Sequence, residues 1–439
     1  MYKPRHGIFL LVIWHAIPAG IRHPVKSTTH NLTVTPMQLK SCKKTYNLET
    51  QRAAPLDETL ARIEPKVPAA GITRVADITN LDRIGIPVFS CIRPTAEAGA
   101  ITVYNGKGAT VEESRISAIM EGIERYSSEL HDRQVHLAPY QEMFAHGRVL
   151  DPKDLILPKE ADVDRLMPWV EGFDIANNVP IIVPAHAVFH PLPQKFRQLF
   201  RTNTNGLASG NTMEEAVFHA LSEVIERDAW SLVEASRDTG ATVENIDDPT
   251  CLEMEKKFAD AQVEVRVRDI TSDIGIPTMA AVADDVLLKD PMLLTIGIGT
   301  HTSARIAVMR ALTEVAQSRL TQIHGAREDT TLADLRKKMG YDRAKRINAY
   351  WFKDNGSVDY NRIASYDSDD FLTDIRFVIE ALGKQGLDRV IVVDLTREEI
   401  GIPVVRVIVP GLEVYAMDPE RRGERVNNAK DHRLSRAKS

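Results

Sequence analysis

The residues best suited to chemistry are carboxylates spaced along single helical faces. Ser117, Glu121 and Glu124 stand at i, i+4 and i+7 and so share one face of a helix. Farther along, Glu215, Glu223 and Glu226 fall within a narrow arc of a second helix, with Asn211 just ahead of it. On a third, Arg310, Glu314 and Gln317 repeat the i, i+4, i+7 spacing. On one helix alone, a Glu-x-x-Glu-Arg face is ordinary solvated surface. Three copies are harder to dismiss, and if their faces converge, five carboxylates meet in one place. Like charges held that close need something positive between them. A hard divalent cation with oxygen ligands meets that need, and Mg²⁺ typically joins one or two carboxylates to substrate phosphates. Arg125, Arg227 and Arg310 are then placed to meet phosphate oxygens.

The elements that must position these residues are internally repeated. Gly108 to Arg125 (GATVEESRISAIMEGIER) aligns with Gly210 to Arg227 (GNTMEEAVFHALSEVIER), 102 residues on, with nine of the eighteen positions identical. A weaker third copy lies 91 residues beyond the second, where Ser303 stands for Thr212, Glu314 for Glu223, and Gln317 for Glu226. Thr110 with Glu113, and Thr212 with Glu215, read as capping boxes that start each helix, and the preceding glycine allows a tight entry. Ile116, Ile119, Met120 and Ile123, and in the second copy Phe218, Leu221, Val224 and Ile225, form apolar stripes that should face a core.

A second repeat sets the frame. Asp-Ile/Leu-Thr followed by Ile-Gly-Ile-Pro occurs at Asp77–Pro87, Asp269–Pro277 and Asp394–Pro403, each beside β-rich sequence. Turn residues inside, with Pro at a strand start, predict three β-hairpins, and 177–189 predicts another. Hairpins alternating with capped helices imply a mixed α/β (α+β) fold with internal pseudo-symmetry. The 439 residues, 43% hydrophobic and 26% charged, suit a globular chain of two or three subdomains about one core. A net charge of −6 leaves no nucleic-acid footprint. Cys42, Cys91 and Cys251 make neither a disulfide framework nor a zinc pattern, which suits the cytoplasm. Lys3 and Arg5 before the apolar run Ile8–Trp14 imitate a signal peptide, but the run is far short of the roughly 20 residues that span a bilayer. Residues 1–40 read as a poorly ordered extension with Met37 as the working start, 41–417 as the body, and 418–439 as a mobile basic tail.

Weaker signals carry less. Asn105–Thr110 lacks the spacing of a Walker A loop, yet Lys107 sits just before a helix N-terminus that favours anions. His186 and His190 lie in a β-like context with Pro191, which argues against a helical metal pair. Cys91 reads either as a sulfur carrier or, more simply, as a buried strand cysteine.

Ser114–Arg125 (SRISAIMEGIER) resembles the Ser-x-x-x-Ala-x-x-Glu-Ala-x-Glu-Arg signature of the YcaO-domain family, and ALSEVIERD and RALTEVAQSR resemble its second and third signatures. The likeness runs from about Ile72 to Gly411, with Gly122 where the signature prefers Ala. The resemblance implies a YcaO-type body that binds ATP without a P-loop and phosphorylates a backbone amide oxygen after nucleophilic attack on its carbonyl carbon. Carried residue by residue, it assigns Glu121, Glu124, Glu215, Glu223 and Glu226 to Mg²⁺, and Ser117, Asn211, Arg227, Arg310 and Glu314 to the nucleotide, beside Lys107. No residue is singled out as the general base. The stretches RIGIPVFSCIRP and IGIPVVRVIVPGLE resemble the archaeal branch of methane producers, which implies external sulfide, a glycine thioamide, the alpha subunit of methyl-coenzyme M reductase as target, a TfuA-type partner and a homodimer. An azoline-forming cyclodehydratase of Cys, Ser or Thr peptides, and a non-catalytic ATP-binding accessory subunit, stay open as alternatives.

Overall fold

The three Asp-x-Thr segments explain how the framework is built. The computed structural model describes residues 36–436 apart from 49, 146 and 329–335. In each segment the aspartate accepts the N–H of the threonine two residues on: Asp77 from Thr79 at 2.8 Å, Asp269 from Thr271 at 3.0 Å, Asp394 from Thr396 at 2.8 Å. Each threonine hydroxyl then accepts the N–H of the residue after the proline, from Val88, Thr278 and Val404. Gly85, Gly275 and Gly401 close the loops at φ of +72°, +78° and +68°, where a side chain is strained. The three predicted hairpins are therefore one turn built three times.

Those turns join β1 (Arg74–Asp77) to β2 (Val88–Ile92), β9 (Glu264–Asp269) to β10 (Thr278–Asp284), and β13 (Ile391–Asp394) to β14 (Val404–Ile408), all antiparallel. With β3 (Val103–Lys107) the first pair makes a three-stranded sheet. The second pair makes a five-stranded sheet with β8 (Ala241–Glu244), β11 (Thr295–Thr300) and β12 (Ser357–Asp359), in the order β11-β10-β9-β8-β12. The third joins β4 (His136–Ala138), β5 (Met167–Asp174), β6 (Val179–Pro184) and β7 (Leu207–Ser209) in a six-stranded sheet. The further hairpin is β5–β6. It turns near Asn178, so the segment expected at 177–189 holds only its turn and second strand. The mixed α/β class is as read from the sequence.

One repeat helix serves each sheet: α2 (Val111–Ser128) packs on β2 and β3, α4 (Met213–Ser236) on β7 and β14, and α6 (Ala304–His324) on β10 and β11. The smaller helices α1 (Leu56–Ile63), α3 (Tyr140–Phe144) and α5 (Pro249–Asp260) precede α2, α4 and α6 in turn along the chain. Every residue of the two predicted apolar stripes is buried. Thr110 and Thr212 accept the N–H of Glu113 and Glu215, as capping threonines do. The glutamates depart from the box. Glu113 accepts the Ala109 N–H, and Glu215 turns away to the N-terminal segment, accepting the Ala53 N–H at 2.9 Å. Gly108 and Gly210 are needed for space: a Cβ would lie 2.6 Å from the Ser114 nitrogen or 2.5 Å from the Ala216 nitrogen. In the third copy the Ser303 hydroxyl makes no cap bond, and the distant Ser365 hydroxyl accepts the Ala304 N–H instead.

Both chain ends correct the sequence reading. Residues 1–35 lie outside the described residues, but the body starts before 41: Met37 and Leu39 pack on the core, and the Lys40 N–H donates to Glu214. After Asp418 the expected mobile tail is a helix, Glu424–Arg436. It is held by Arg425, which bonds Asp228 at 2.8 Å and Asp273 at 2.6 Å, and by buried Glu413, which accepts the N–H groups of Gly423 and Val426. These partners lie 10 to 197 residues away, so local composition did not reveal them. No helix among the described residues is long and apolar enough to cross a membrane.

Candidate active site

The polar faces of α2, α4 and α6 meet around one cavity of about 620 Å³. All eleven sequence-predicted residues line it: Lys107, Ser117, Glu121, Glu124, Asn211, Glu215, Glu223, Glu226, Arg227, Arg310 and Glu314.

On α2, Glu121 accepts from Arg125 Nε at 2.9 Å, and Glu124 accepts the Ser209 N–H at 3.1 Å. Burial, with the charges of Glu121 and Glu223 nearby, raises the Glu124 carboxyl well above the usual range. Arg125 keeps its proton strongly, because Glu121 and Glu124 outweigh its own burial. Ser117 Oγ accepts the Lys107 N–H at 3.3 Å and so fixes the end of β3.

On α4, Glu226 accepts the Thr300 N–H at 3.0 Å, and Arg227 stands 3.5 Å from Glu226 and 3.9 Å from Glu223. Burial raises the Glu223 carboxyl against the pull of Arg227 and Arg125. It carries Glu226 to about 7, where Arg227 opposes the shift and the charge of Glu314 adds to it. On α6 the sign reverses. Burial works against Glu314 too, but Lys107, in direct contact, and Arg227 hold its carboxyl below the usual range. Gln317 donates to the Asn105 carbonyl.

Asn211 supports the floor: its amide oxygen accepts from Thr59 at 3.0 Å and its NH₂ donates to Glu215 at 3.2 Å. Sequence reasoning missed Arg52 and His219, which also line the cavity. Arg52 Nη1 lies 2.7 Å from His219 Nε2, so that nitrogen must accept and the imidazole is neutral. Burial, then the charges of Arg52 and Arg310, depresses its basicity further. Arg52 comes from a non-repeated segment, so no periodicity pointed to it.

The cavity suits phosphate and a hard cation. Arg125 Nη1, Arg227 Nε and Arg310 Nε are buried without a hydrogen-bond partner. The ring of candidate metal ligands is all oxygen. Yet among the described residues no three carboxyl, imidazole or thiol groups come together as a metal cluster. The carboxylates share a wall, not one point, an arrangement that fits a cation shared with phosphate oxygens. Other candidates fall away. His186 Nε2 and His190 Nδ1 are taken up by the Arg197 carbonyl and the Thr202 hydroxyl, each at 3.0 Å. Cys91 is buried on β2, its thiol pushed up to about 12 by burial, which makes it a packing residue. Gly122 lies against it, where a Cβ would meet Cys91 Sγ at 2.8 Å.

Comparison with known proteins agrees with this geometry. Residues 105–413 match the family described as YcaO cyclodehydratase, ATP- and Mg²⁺-binding, and the chain belongs to that family. It is 49% identical over 381 residues to an uncharacterized protein of the methanogen Methanothermobacter thermautotrophicus, covering 85% of this chain and 97% of that one. It is 31% identical over 375 residues to an uncharacterized protein in the tfuA 3′ region of Rhizobium leguminosarum bv. trifolii, covering 83% and 89%. Among solved structures, YcaO from Methanopyrus kandleri bound with AMPPCP and Mg²⁺ superposes with a TM-score of 0.74 at 30% identity, covering 87% of this chain and 98% of that one.

Proposed function

We propose that this YcaO-family chain is a cytoplasmic enzyme that uses ATP, Mg²⁺ and external sulfide to turn a backbone glycine amide of a protein into a thioamide. Its substrate is the alpha subunit of methyl-coenzyme M reductase, and it works as a homodimer with a TfuA-type partner. The observation that carries the ATP and Mg²⁺ reading is the pairing of opposites in one cavity: buried carboxyls on α2 and α4 that ionise readily only beside a cation, facing arginine nitrogens without partners. The Methanopyrus kandleri structure with AMPPCP and Mg²⁺ supports it. The methanogen relative and the relative beside tfuA support the thioamide branch.

In this reading Glu121, Glu124, Glu215, Glu223 and Glu226 hold Mg²⁺, which supplies charge neutralisation for phosphoryl transfer. Lys107, Ser117, Asn211, Arg227, Arg310 and Glu314 hold the nucleotide. Overall, amide, ATP and hydrosulfide become thioamide, ADP and phosphate. The carbonyl oxygen leaves on phosphate with the hydrosulfide proton, so charge and atoms balance. Arg125, Arg227 and Arg310 face the negative charge that builds on the moving phosphoryl group. The family's description as cyclodehydratases favours a second reading, azoline formation, in which the nucleophile is a substrate side chain. An ATPase assay with a glycine peptide, with and without sodium sulfide, separates them. Thioamidation predicts peptide-stimulated turnover only with sulfide. Equal turnover without sulfide on a cysteine peptide overturns it, and no turnover with either peptide points to an accessory subunit.

A further inference from the structure

A second, smaller chamber of about 60 Å³ lies behind the α4 wall and plays no part so far. One thin layer of chain separates the two spaces: Thr204, Leu207 and Glu223 line the large cavity, while Asn203, Asn205 and Val224 line the small one. Leu207 on β7 pairs directly with Arg406 on β14, whose side chain enters the chamber.

Arg406 is 4% exposed, and its Nε and Nη1 have no hydrogen-bond partner. Its one side-chain hydrogen bond is a long one from Nη2 to Asn203 Oδ1 at 3.4 Å. A buried guanidinium left that way is costly unless an acceptor reaches it. Arg421 adds a second cation to the wall, although its Nε and Nη2 already donate to the Ile156 and Leu155 carbonyls. The carboxylate of the wall, Asp154, is taken by Arg389 at 2.9 Å. Among the residues that line the chamber the uncompensated charge is thus positive, while Glu223 and Glu124 of the large cavity also act on Arg406. Asn205, also on the lining, has its Oδ1 buried without a partner. It needs a donor, where Arg406 needs an acceptor.

We propose that this chamber binds hydrosulfide, between the Arg406 guanidinium and the Asn205 amide oxygen. A carboxylate or a fully ionised phosphate can satisfy only the arginine. Hydrosulfide carries both the negative charge and a hydrogen to donate. The volume admits a group of a few atoms and excludes a nucleotide. Phe200 and Val224 give a polarizable sulfur an apolar wall. Arg406 stays charged at neutral pH, since burial lowers it only to about 10. The inference rests on sulfide being the nucleophile of the proposed reaction, and it places a reservoir for that nucleophile one chain layer from Glu223.

Two measurements test it. Crystals of the full chain soaked in sodium bromide, a monoanion close in size to hydrosulfide, should show an anomalous peak against the Arg406 guanidinium, with no turnover required. In solution, Arg406→Gln should raise the sulfide concentration for half-maximal thioamide formation about tenfold or more, the usual weight of a charge-assisted hydrogen bond, with the ATP requirement unchanged. Asn205→Leu, which leaves the cation in place, should raise it several-fold. Water alone in the bromide-soaked chamber, or unchanged sulfide saturation in both variants, overturns the proposal while wild-type thioamide formation leaves the function standing. A wild type that makes no thioamide overturns the function, and the identity of the anion with it.

Discussion

Helices α4 and α6 each pack on a sheet built around the same kind of hairpin and bring matching glutamates, Glu223 and Glu314, to one cavity, yet their electrostatics are opposed. On α4 the carboxyls of Glu223 and Glu226 are raised, and the arginine beside them does not offset their burial. On α6 the carboxyl of Glu314 is lowered, because β3 delivers Lys107 against it, and the second glutamate of the repeat has become Gln317. A duplicated scaffold has kept its backbone chemistry and divided its charges. One copy leaves the burial of its carboxyls uncompensated, and the other has a lysine built in against it. The same division is seen at the helix starts, where Thr212 caps α4 with its own hydroxyl and Ser303 leaves that task to Ser365.

The largest effect should come from changing the uncompensated side. Glu226→Gln keeps the shape and the acceptor for the Thr300 N–H but removes one charge, and should lower ATP turnover about a hundredfold or more, with Glu121→Gln behaving alike. Thermal melts of both variants should stay near wild type, and wild-type ATPase rates would remove these residues from the metal site. Lys107→Met is expected to weaken ATP binding about tenfold and to raise the Glu314 carboxyl, bringing α6 closer to α4 in character. Calorimetric titration with a non-hydrolysable nucleotide checks the first part, and unchanged affinity would contradict it.

A pH series sharpens the contrast. Glu226 holds a proton up to about 7, which a cation must displace, so Mg²⁺ with nucleotide should bind more tightly as pH rises from 6 to 8 and should release protons on binding. The folded-state value lies above the unfolded one, so this group stabilises the metal-free fold most at acid pH, and the contribution is lost as pH rises through about 7. Metal-free protein should therefore melt higher at pH 6 than at pH 8 if Glu226 dominates, with the gap reduced in Glu226→Gln. The smallest effects belong to the caps. Thr212→Ala should cost about 1 kcal/mol in denaturant unfolding, and Ser303→Ala less than about 0.5 kcal/mol, since its hydroxyl makes no cap bond. Equal losses would deny the asymmetry.

What was legible in the sequence is what is local. The Asp-x-Thr turns, the threonine caps and the apolar stripes each close within about a dozen residues, so their spacing alone revealed them. Repetition then made the cavity wall readable, because three related helices carry their polar faces inward. Long-range partners were not legible. Arg52 meets His219 across 167 residues, Glu215 leaves its capping box for Ala53 across 162, and the helix after Asp418 is held by Asp228. Arg406 sits in a β-rich run where its burial beside the site depends on β7 and α4 packing around it.

The central claim is that these opposed helices serve replacement of an amide oxygen by sulfur. Mass spectrometry of a glycine-bearing substrate peptide, incubated with the full chain, ATP, Mg²⁺ and sulfide, addresses it directly. A gain of about 16 mass units is expected only when all four are present, since the carbonyl oxygen then leaves on phosphate. Loss of about 18 mass units without sulfide, the signature of dehydration by the same phosphoryl route, would contradict it.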